Sequence, residues 1–252
     1  MKSKNEEISQ DPQPAADVRQ LIWTTELVQK FWDYQSRFSE AYFSTQFGAQ
    51  IAKAIQSAAP NKARILDYAC GIGGLTGHLL EAGLLVAGCD LSPESIICTR
   101  NKYENHPGFF GAFSMADLAR SDLKFEVVVL AELIEHVDDE VLHIIFKDAI
   151  GLLSPGGVMI VTTPNNEDLS IDAVYCPCCD HTFHRWQHVR SWSAEALSSQ
   201  FRAHNLNVVT ALTTDFSLAP QRGLLRYWTR LFLNFISNRR APHLLGIARK
   251  MS

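Results

Sequence analysis

Short apolar runs alternate with amphipathic segments along most of the chain beyond Ala63. Phe125–Leu130 is rich in β-branched residues, which is typical of a strand buried on both faces of a sheet. Asp138–Leu153 instead repeats apolar residues at helical spacing and stops at a Ser-Pro-Gly-Gly sequence. The other predicted strands are Arg64–Tyr68, Leu84–Cys89, Phe109–Ala112, Val158–Thr163, Asn207–Thr214 and His243–Ala248, and the other predicted helices are Leu75–Ala82, Pro93–Tyr103 and Ala194–Asn205. Strands that alternate with helices predict an α/β fold with a doubly wound parallel sheet.

The start of the chain has a different pattern. Residues 1–17 are polar and include two prolines, so we expect a disordered tail. Residues 18–57 are helical in pattern and rich in aromatics, which predicts a cap of two or three short helices on a main domain over 58–252. No apolar run approaches the ~20 residues that a membrane-spanning helix needs. Because no apolar stretch follows a basic start, we expect a cytoplasmic protein with reduced thiols.

A glycine-rich turn follows the first strand of the main domain, and an acidic residue ends each of the first two strands. After Asp67, Gly71 and Gly73 match the first two positions of a dinucleotide fingerprint, but Thr76 occupies the third. A carboxylate at Asp67 would repel a pyrophosphate but suits a cationic ligand. S-adenosylmethionine (SAM) carries an ammonium and a sulfonium and no phosphate. Asp90 ends the second strand, where an acid can bind ribose hydroxyls.

These blocks resemble those of the class I SAM-dependent methyltransferases over about residues 50–250. The matching segments are Ile65–Gly73, Gly88–Ser92, Ser114–Asp117, Phe125–Val128, Glu132–His136 and Leu153–Gly157. The resemblance implies a Rossmann-like, seven-stranded, mostly parallel sheet with an antiparallel last strand. It also implies that SAM is bound by Asp67, Ala69, Gly71, Gly73, Asp90, Leu91, Asp117 and Glu132. Ala69 stands where the family usually has glycine, and its methyl group predicts a slightly narrower pocket.

The Glu132–His136 block is most similar to that of the ubiquinone-biosynthesis O-methyltransferases. The chain lacks the Asn/Asp-Pro-Pro-aromatic turn of amino-methylating nucleic-acid enzymes, and Pro177-Cys178 lies away from the place where base C5 methylation needs a Pro-Cys pair. His136 is the candidate general base, because histidine titrates near neutrality. Alternatively, Glu132, Glu135 and His136 hold a divalent cation that lowers the pKa of a hydroxyl, or Glu135 and His136 only anchor the next helix.

An insertion over residues 175–192 is rich in cysteine and histidine, which predicts a zinc site. The expected ligands are Cys176, Cys179, His184 and His188. Their C-x₂-C and H-x₃-H spacings suit tetrahedral Zn²⁺, and a site with all four positions filled would be structural. Cys178 or His181 could replace one of these ligands. The alternative is a loop without metal.

Charge is distributed unevenly along the chain. Beyond Asp215 there are seven basic residues and no acidic ones, whereas residues 1–215 carry 16 basic against 27 acidic residues. Residues 222–237 predict a basic amphipathic helix with Arg222, Arg226 and Arg230 in one stripe. Such a helix either covers a lipophilic acceptor, lies on an anionic membrane surface, or packs on the core with its arginines in water.

The function that these features favour is SAM-dependent O-methylation of a small hydroxylated molecule, for which a lipophilic acceptor is one option. Two alternatives stay open at this point. One is an RNA methyltransferase that uses the insertion as an RNA grip, and the other is a non-catalytic, SAM-binding scaffold stabilised by zinc. The net charge of -11 over residues 1–215 argues against a broad nucleic-acid surface. The sequence specifies neither the methylated atom nor the oligomeric state.

Overall fold

The computed structural model describes residues 19–218 and 241–251. The predicted tail 1–17 and the predicted helix 222–237 lie outside the described residues. The elements in chain order are β1 (Arg19–Gln20), α1 (Thr25–Gln35), α2 (Phe43–Gln46), α3 (Gly48–Ala58), β2 (Arg64–Tyr68), α4 (Gly74–Glu81), β3 (Leu85–Asp90), α5 (Pro93–Tyr103), β4 (Phe109–Ser114), α6 (Met115–Ala119), β5 (Phe125–Ala131), α7 (Asp139–Leu152), β6 (Leu153–Pro164), β7 (Ala173–Cys176), β8 (His181–His184), α8 (Ala194–Ala203), β9 (Leu206–Thr214) and β10 (His243–Lys250). Two 3₁₀ segments cover Ser36–Ala41 and Phe216–Leu218.

Seven strands form one sheet in the order β4-β3-β2-β5-β6-β10-β9. β10 is antiparallel to both of its neighbours, β6 and β9, whereas the other paired strands of this sheet run parallel. This arrangement confirms the predicted fold class. The central strand β5 is the β-branched run of the sequence, and Val127 to Leu130 are fully buried because both faces of the sheet are covered.

Successive side chains of β5 enter two different cores. Val128 packs with the apolar face of α7, whereas Val129 packs with α3 and α4 on the opposite face. Ile51 and Ile55 of α3 are fully buried in that second cluster. The last helix of the predicted cap therefore contributes to the core beneath the sheet.

A small second sheet joins the N-terminal segment to the Cys/His insertion, in the order β1-β8-β7. Arg19 pairs in parallel with His181, and β7 and β8 form an antiparallel hairpin. The sequence pattern did not predict this pairing, because β1 has only two residues. Within residues 19–218 and 241–251, no helix combines the length and the apolar character needed to cross a membrane.

Candidate active site at the carboxyl edge of the sheet

The glycine-rich turn connects β2 to α4 at the carboxyl edge of the sheet. Gly71 and Gly73 have φ angles of +52° and +79°, which glycine adopts without the steric cost that a Cβ would bring. The turn also packs tightly, since a Cβ on Gly73 would lie 2.7 Å from the Tyr103 ring, whose hydroxyl donates to the Gly73 carbonyl over 2.8 Å. Backbone conformation therefore favours glycine at both positions, and packing against Tyr103 adds a second reason at Gly73.

Asp67 lies in the buried end of β2. Its carboxyl group is 2% exposed, and Oδ2 accepts a hydrogen bond from Thr76 Oγ1 over 2.6 Å. Burial raises the pKa of Asp67 to about 7, and the bond from Thr76 opposes this rise. The third residue of the incomplete fingerprint, Thr76, thus serves the carboxylate rather than a phosphate.

Asp90 ends the neighbouring strand and is bonded to the glycine turn. Oδ2 accepts the Gly71 N–H over 2.8 Å, and Oδ1 accepts the Ser92 N–H over 2.9 Å. Burial raises the pKa of Asp90, whereas these backbone donors lower it. A carboxylate offers about four acceptor positions, so Asp90 keeps accepting capacity beyond its backbone bonds, which is the chemistry that ribose hydroxyls require.

The structure places the remaining predicted SAM-binding residues around this turn. Ala69 adopts a left-handed φ of +59°, and the Leu91 side chain directly after Asp90 is 85% exposed. Asp117 is engaged within its own helix, because its carboxylate accepts from Ser114 Oγ over 2.7 Å and pairs with Arg120 over 3.0 Å. Its contact with adenine stays a prediction.

Glu132, Glu135 and His136 come together directly after β5. Glu132 has a φ of +49°, a strained value for a residue with a side chain, of the kind that concentrates at functional sites. Glu135 Oε2 accepts from Thr163 Oγ1 over 2.9 Å, whereas Oε1 of Glu132 and Oε1 of Glu135 are buried without a partner among the described residues. Burial raises the pKa of Glu132 to about 7 and that of Glu135 well above its usual range.

His136 is a poor candidate for the general base. Burial and the neighbouring His188 together lower its pKa to about 3. A base with a pKa this far below neutrality has little driving force for proton abstraction at physiological pH. The predicted catalytic role of His136 as a base therefore lacks electrostatic support, although its ring lies beside Glu135 with Nε2 3.7 Å from Oε1.

The four predicted zinc ligands do not form one coordination sphere in the structure. These ligands were Cys176, Cys179, His184 and His188. The hairpin register sets Cys176 opposite His181 but His184 opposite Ala173. Three residues of extended strand separate these pairs, about 10 Å at ~3.3 Å per residue. Within the described part of the chain, no cysteine belongs to a cluster of three or more potential metal ligands.

Two histidines of the insertion, His184 and His188, instead lie beside Glu167, a residue that belongs to no sequence motif. His188 Nδ1 donates to Glu167 Oε2 over 2.5 Å, and His184 Nε2 lies 3.6 Å from Glu167 Oε1. The His188 ring is also 4.9 Å from the His136 ring. The base of the insertion therefore joins the acidic cluster at the end of β5.

Gln187 connects the insertion, this cluster and the N-terminal helices. It is fully buried, its Nε2 donates to the His136 carbonyl over 2.8 Å, and its Oε1 accepts from Trp32 Nε1 over 2.9 Å. The Trp32 ring lies 4.9 Å from the His136 ring and 6.0 Å from that of Tyr42. Burial and the charge of Asp90 raise the pKa of Tyr42 to about 12, so Tyr42 lies on the Asp90 side. Trp32 and Tyr42 form an aromatic wall beside the cluster, and the aromatic richness of residues 18–57 was the only sequence signal for it.

Comparison with known proteins agrees with this arrangement. A family model described as a methyltransferase domain matches residues 41–211. The chain belongs to this family. The ubiquinone biosynthesis O-methyltransferase of Cereibacter sphaeroides is 30% identical over 133 residues, which cover 51% of this chain and 53% of that protein. The enzyme of the same name from Roseobacter denitrificans is 27% identical over 174 residues, or 64% and 69% of the two chains.

Solved structures show the same fold as this methyltransferase-domain chain. The Burkholderia thailandensis 1,6-didemethyltoxoflavin-N1-methyltransferase, with 1,6-didemethyltoxoflavin and S-adenosylhomocysteine bound, superposes with a TM-score of 0.57 at 17% identity, covering 90% of this chain and 86% of that one. The predicted family and the predicted Rossmann-like fold are thereby confirmed. The chain spans about half the length of the first sequence relative.

Proposed function

We propose that the protein is a SAM-dependent methyltransferase that transfers the methyl group to a hydroxyl of a small acceptor molecule. The observation that carries this proposal is the pair of carboxylates, Asp67 and Asp90, on the ends of adjacent strands and on either side of a glycine turn. This arrangement suits the cationic groups and the ribose of SAM and disfavours a pyrophosphate. The O-methyltransferase names of two sequence relatives support the choice of a hydroxyl.

The chain's own residues have a positioning role in this proposal. Bound SAM supplies an already activated methyl group, so holding the acceptor in line with it accounts for much of the rate. Asp90 orients the donor through its ribose, and Gly71 and Gly73 allow close backbone approach, whereas the methyl group of Ala69 narrows the pocket. Glu132 lies directly after β5, at the edge where donor and acceptor have to meet.

The acceptor is proposed to lie against the aromatic wall of Trp32 and Tyr42. Trp32 is fixed by its bond to Gln187, and its ring meets that of His136 edge to face. A wall of this kind favours a planar or lipophilic acceptor over a charged one. A cytoplasmic location, and membrane contact through the 222–237 helix, stay predictions.

Two measurements test the proposal. Calorimetry should show SAM and S-adenosylhomocysteine binding to the wild-type protein and weaker binding to Asp90→Ala. Incubation with methyl-labelled SAM and a fractionated lysate should then transfer label to the small-molecule fraction. Label in the RNA fraction would instead support RNA methylation, and SAM binding without any transfer would support a scaffold.

A further inference from the structure

His188 places an imidazole from the insertion against two groups of the acidic cluster. The ligand atoms of Glu135, His136 and His188 all lie within 4.8 Å of one another. Each of the two histidine side chains is only 10% exposed, and the Glu135 side chain is 1% exposed. The three groups thus share a small, nearly dry volume at the carboxyl edge of the sheet.

Hydrogen bonds determine which nitrogen of each histidine is free. His136 Nδ1 lies 3.4 Å from the Gln187 carbonyl, an acceptor, so this nitrogen carries the proton and Nε2 keeps its lone pair. His188 Nδ1 donates to Glu167 over 2.5 Å, which likewise leaves Nε2 unprotonated. Metal-binding histidines have this form, with one N–H held by a carbonyl or carboxylate and the other nitrogen open.

Glu135 supplies an oxygen that no proton donor satisfies. Oε2 accepts from Thr163, but Oε1 is buried without a partner among the described residues and faces His136 Nε2 at 3.7 Å. That separation is too long for a hydrogen bond. It is close to the ~3.4 Å that separates two donor atoms bound to one ion by bonds of ~2.0–2.1 Å at a tetrahedral angle.

We infer that Glu135, His136 and His188 bind one divalent transition-metal ion, with zinc as the reference metal and Glu167 orienting His188. Two imidazole nitrogens and one carboxylate oxygen suit zinc-like ions better than magnesium, which prefers oxygen ligands and retains its waters. Three protein ligands leave one position open.

His184 supports this site without being a ligand. Its Nδ1 accepts the backbone N–H groups of Trp186 and His188 over 3.4 and 3.3 Å, so its proton lies on Nε2, 3.6 Å from Glu167 Oε1. The His188 N–H is therefore the histidine hydrogen bond that holds Glu167, and the His184 N–H lies near its other oxygen, beyond hydrogen-bond distance. The metal site does not depend on the proposed methyl transfer. Only the use of its open position by an acceptor hydroxyl rests on the proposed function.

The test begins with full-length protein that is stripped with a chelator and then given Zn²⁺ alone. Elemental analysis after dialysis should find one zinc per chain. X-ray absorption at the zinc edge should show only nitrogen and oxygen neighbours at ~2.0–2.1 Å, without the sulfur shell at ~2.3 Å that thiolates produce. Zinc that remains bound with a sulfur shell, or a wild-type protein that retains no zinc, would overturn the inference.

Variants separate this site from the cysteines of the same insertion. His188→Asn should lower zinc affinity at least 100-fold, and Glu167→Gln, which only loosens His188, about 10–100-fold. Cys179→Ser and His181→Asn are the matched controls and should bind zinc as the wild type does. Loss of zinc in Cys179→Ser, or unchanged affinity in His188→Asn, would contradict the assignment.

SAM affinity, measured on the same samples, reports folding and the proposed function separately. Every variant should bind SAM within about twofold of the wild type, because Asp67 and Asp90 are unchanged. A factor of two corresponds to roughly 0.4 kcal/mol, at 1.4 kcal/mol per tenfold change in affinity. Normal SAM binding without zinc rejects the metal site alone. Normal zinc binding without SAM binding in the wild type rejects the proposed function and leaves the metal site standing.

Discussion

Asp67→Asn removes a buried carboxyl group whose ionisation is costly. Asp67 is 2% exposed, and burial raises its pKa to about 7, with the bond from Thr76 opposing the rise and Asp90 adding to it. In the unfolded chain, an aspartate titrates at about 3.9. Between about pH 4 and pH 7, the folded protein therefore holds a proton that the unfolded chain has released.

The sign and size of the effect follow from these two pKa values. A carboxyl group with a raised folded pKa loses stability as the pH rises from its unfolded pKa to its folded pKa. Each unit corresponds to about 1.4 kcal/mol, so the full loss is roughly 4 kcal/mol above pH 7. About 1.5 kcal/mol of this is already lost at pH 5. The Asp67→Asn variant has no titrating group at this position. Its free energy of unfolding relative to that of the wild type should therefore be roughly 2–3 kcal/mol higher at pH 8 than at pH 5.

Urea unfolding at pH 5 and pH 8 measures this gap as the difference in free energy of unfolding between variant and wild type. Glu132 and Glu135 also have raised pKa values, but they are present in both proteins and cancel in the difference. Asp122→Asn, at an exposed position, is the control, and its difference in free energy of unfolding from the wild type should be the same at both pH values. If the difference in free energy of unfolding between Asp67→Asn and the wild type is equal at pH 5 and pH 8, the electrostatic reasoning is refuted.

Three further substitutions examine the turn and the insertion. Asp90→Ala should lower SAM affinity at least tenfold by calorimetry, since charge-assisted hydrogen bonds contribute ~1.5–3 kcal/mol each. Ala69→Gly removes the cost of a left-handed backbone at a residue with a side chain, which is ~1–2 kcal/mol. Because glycine is more flexible in the unfolded chain, ~0.5–1 kcal/mol of this is lost again, so the free energy of unfolding in urea should rise by about 0.5–1 kcal/mol. Gln187→Leu removes the partners of the Trp32 indole N–H and the His136 carbonyl, both half-buried, so at ~1–3 kcal/mol for each unpaired group it should cost about 2 kcal/mol. Gln29→Leu, at an exposed position of α1, is its control and should unfold as the wild type does.

The sheet and its helices were largely predictable, because local signals and burial agree there. The helix Pro93–Tyr103 was predicted with its observed bounds, since Ser92 caps it by accepting the Ser95 N–H and proline occupies its first position. β6 is longer than predicted and begins at Leu153. There, pairing with Phe125 of β5 carries the strand through a Ser-Pro-Gly-Gly sequence that is typical of a turn.

The candidate site was predictable only where it follows strand ends. Asp67 and Asp90 end adjacent parallel strands, so their order along the chain already places them at one edge. Glu167 and Gln187 carry no such signal, because each is a single polar residue outside the regular spacing of a strand or helix. Their roles depend on how the insertion folds back onto the sheet, which the linear pattern does not contain.

The C-x₂-C and H-x₃-H spacings in the sequence are compatible with a zinc site, but the β7–β8 hairpin places the cysteines at one end and His184 at the other. The thiols lie at the tip beyond His181, while the chain after β8 turns back at Gln187, where φ is +63°. The Val189 N–H then donates to the Glu135 carbonyl over 2.9 Å, which fixes the turn against the acidic cluster. The insertion is thus anchored to the site through its base. Its influence on the acceptor is therefore expected to act through Gln187 and His188 rather than through the cysteines.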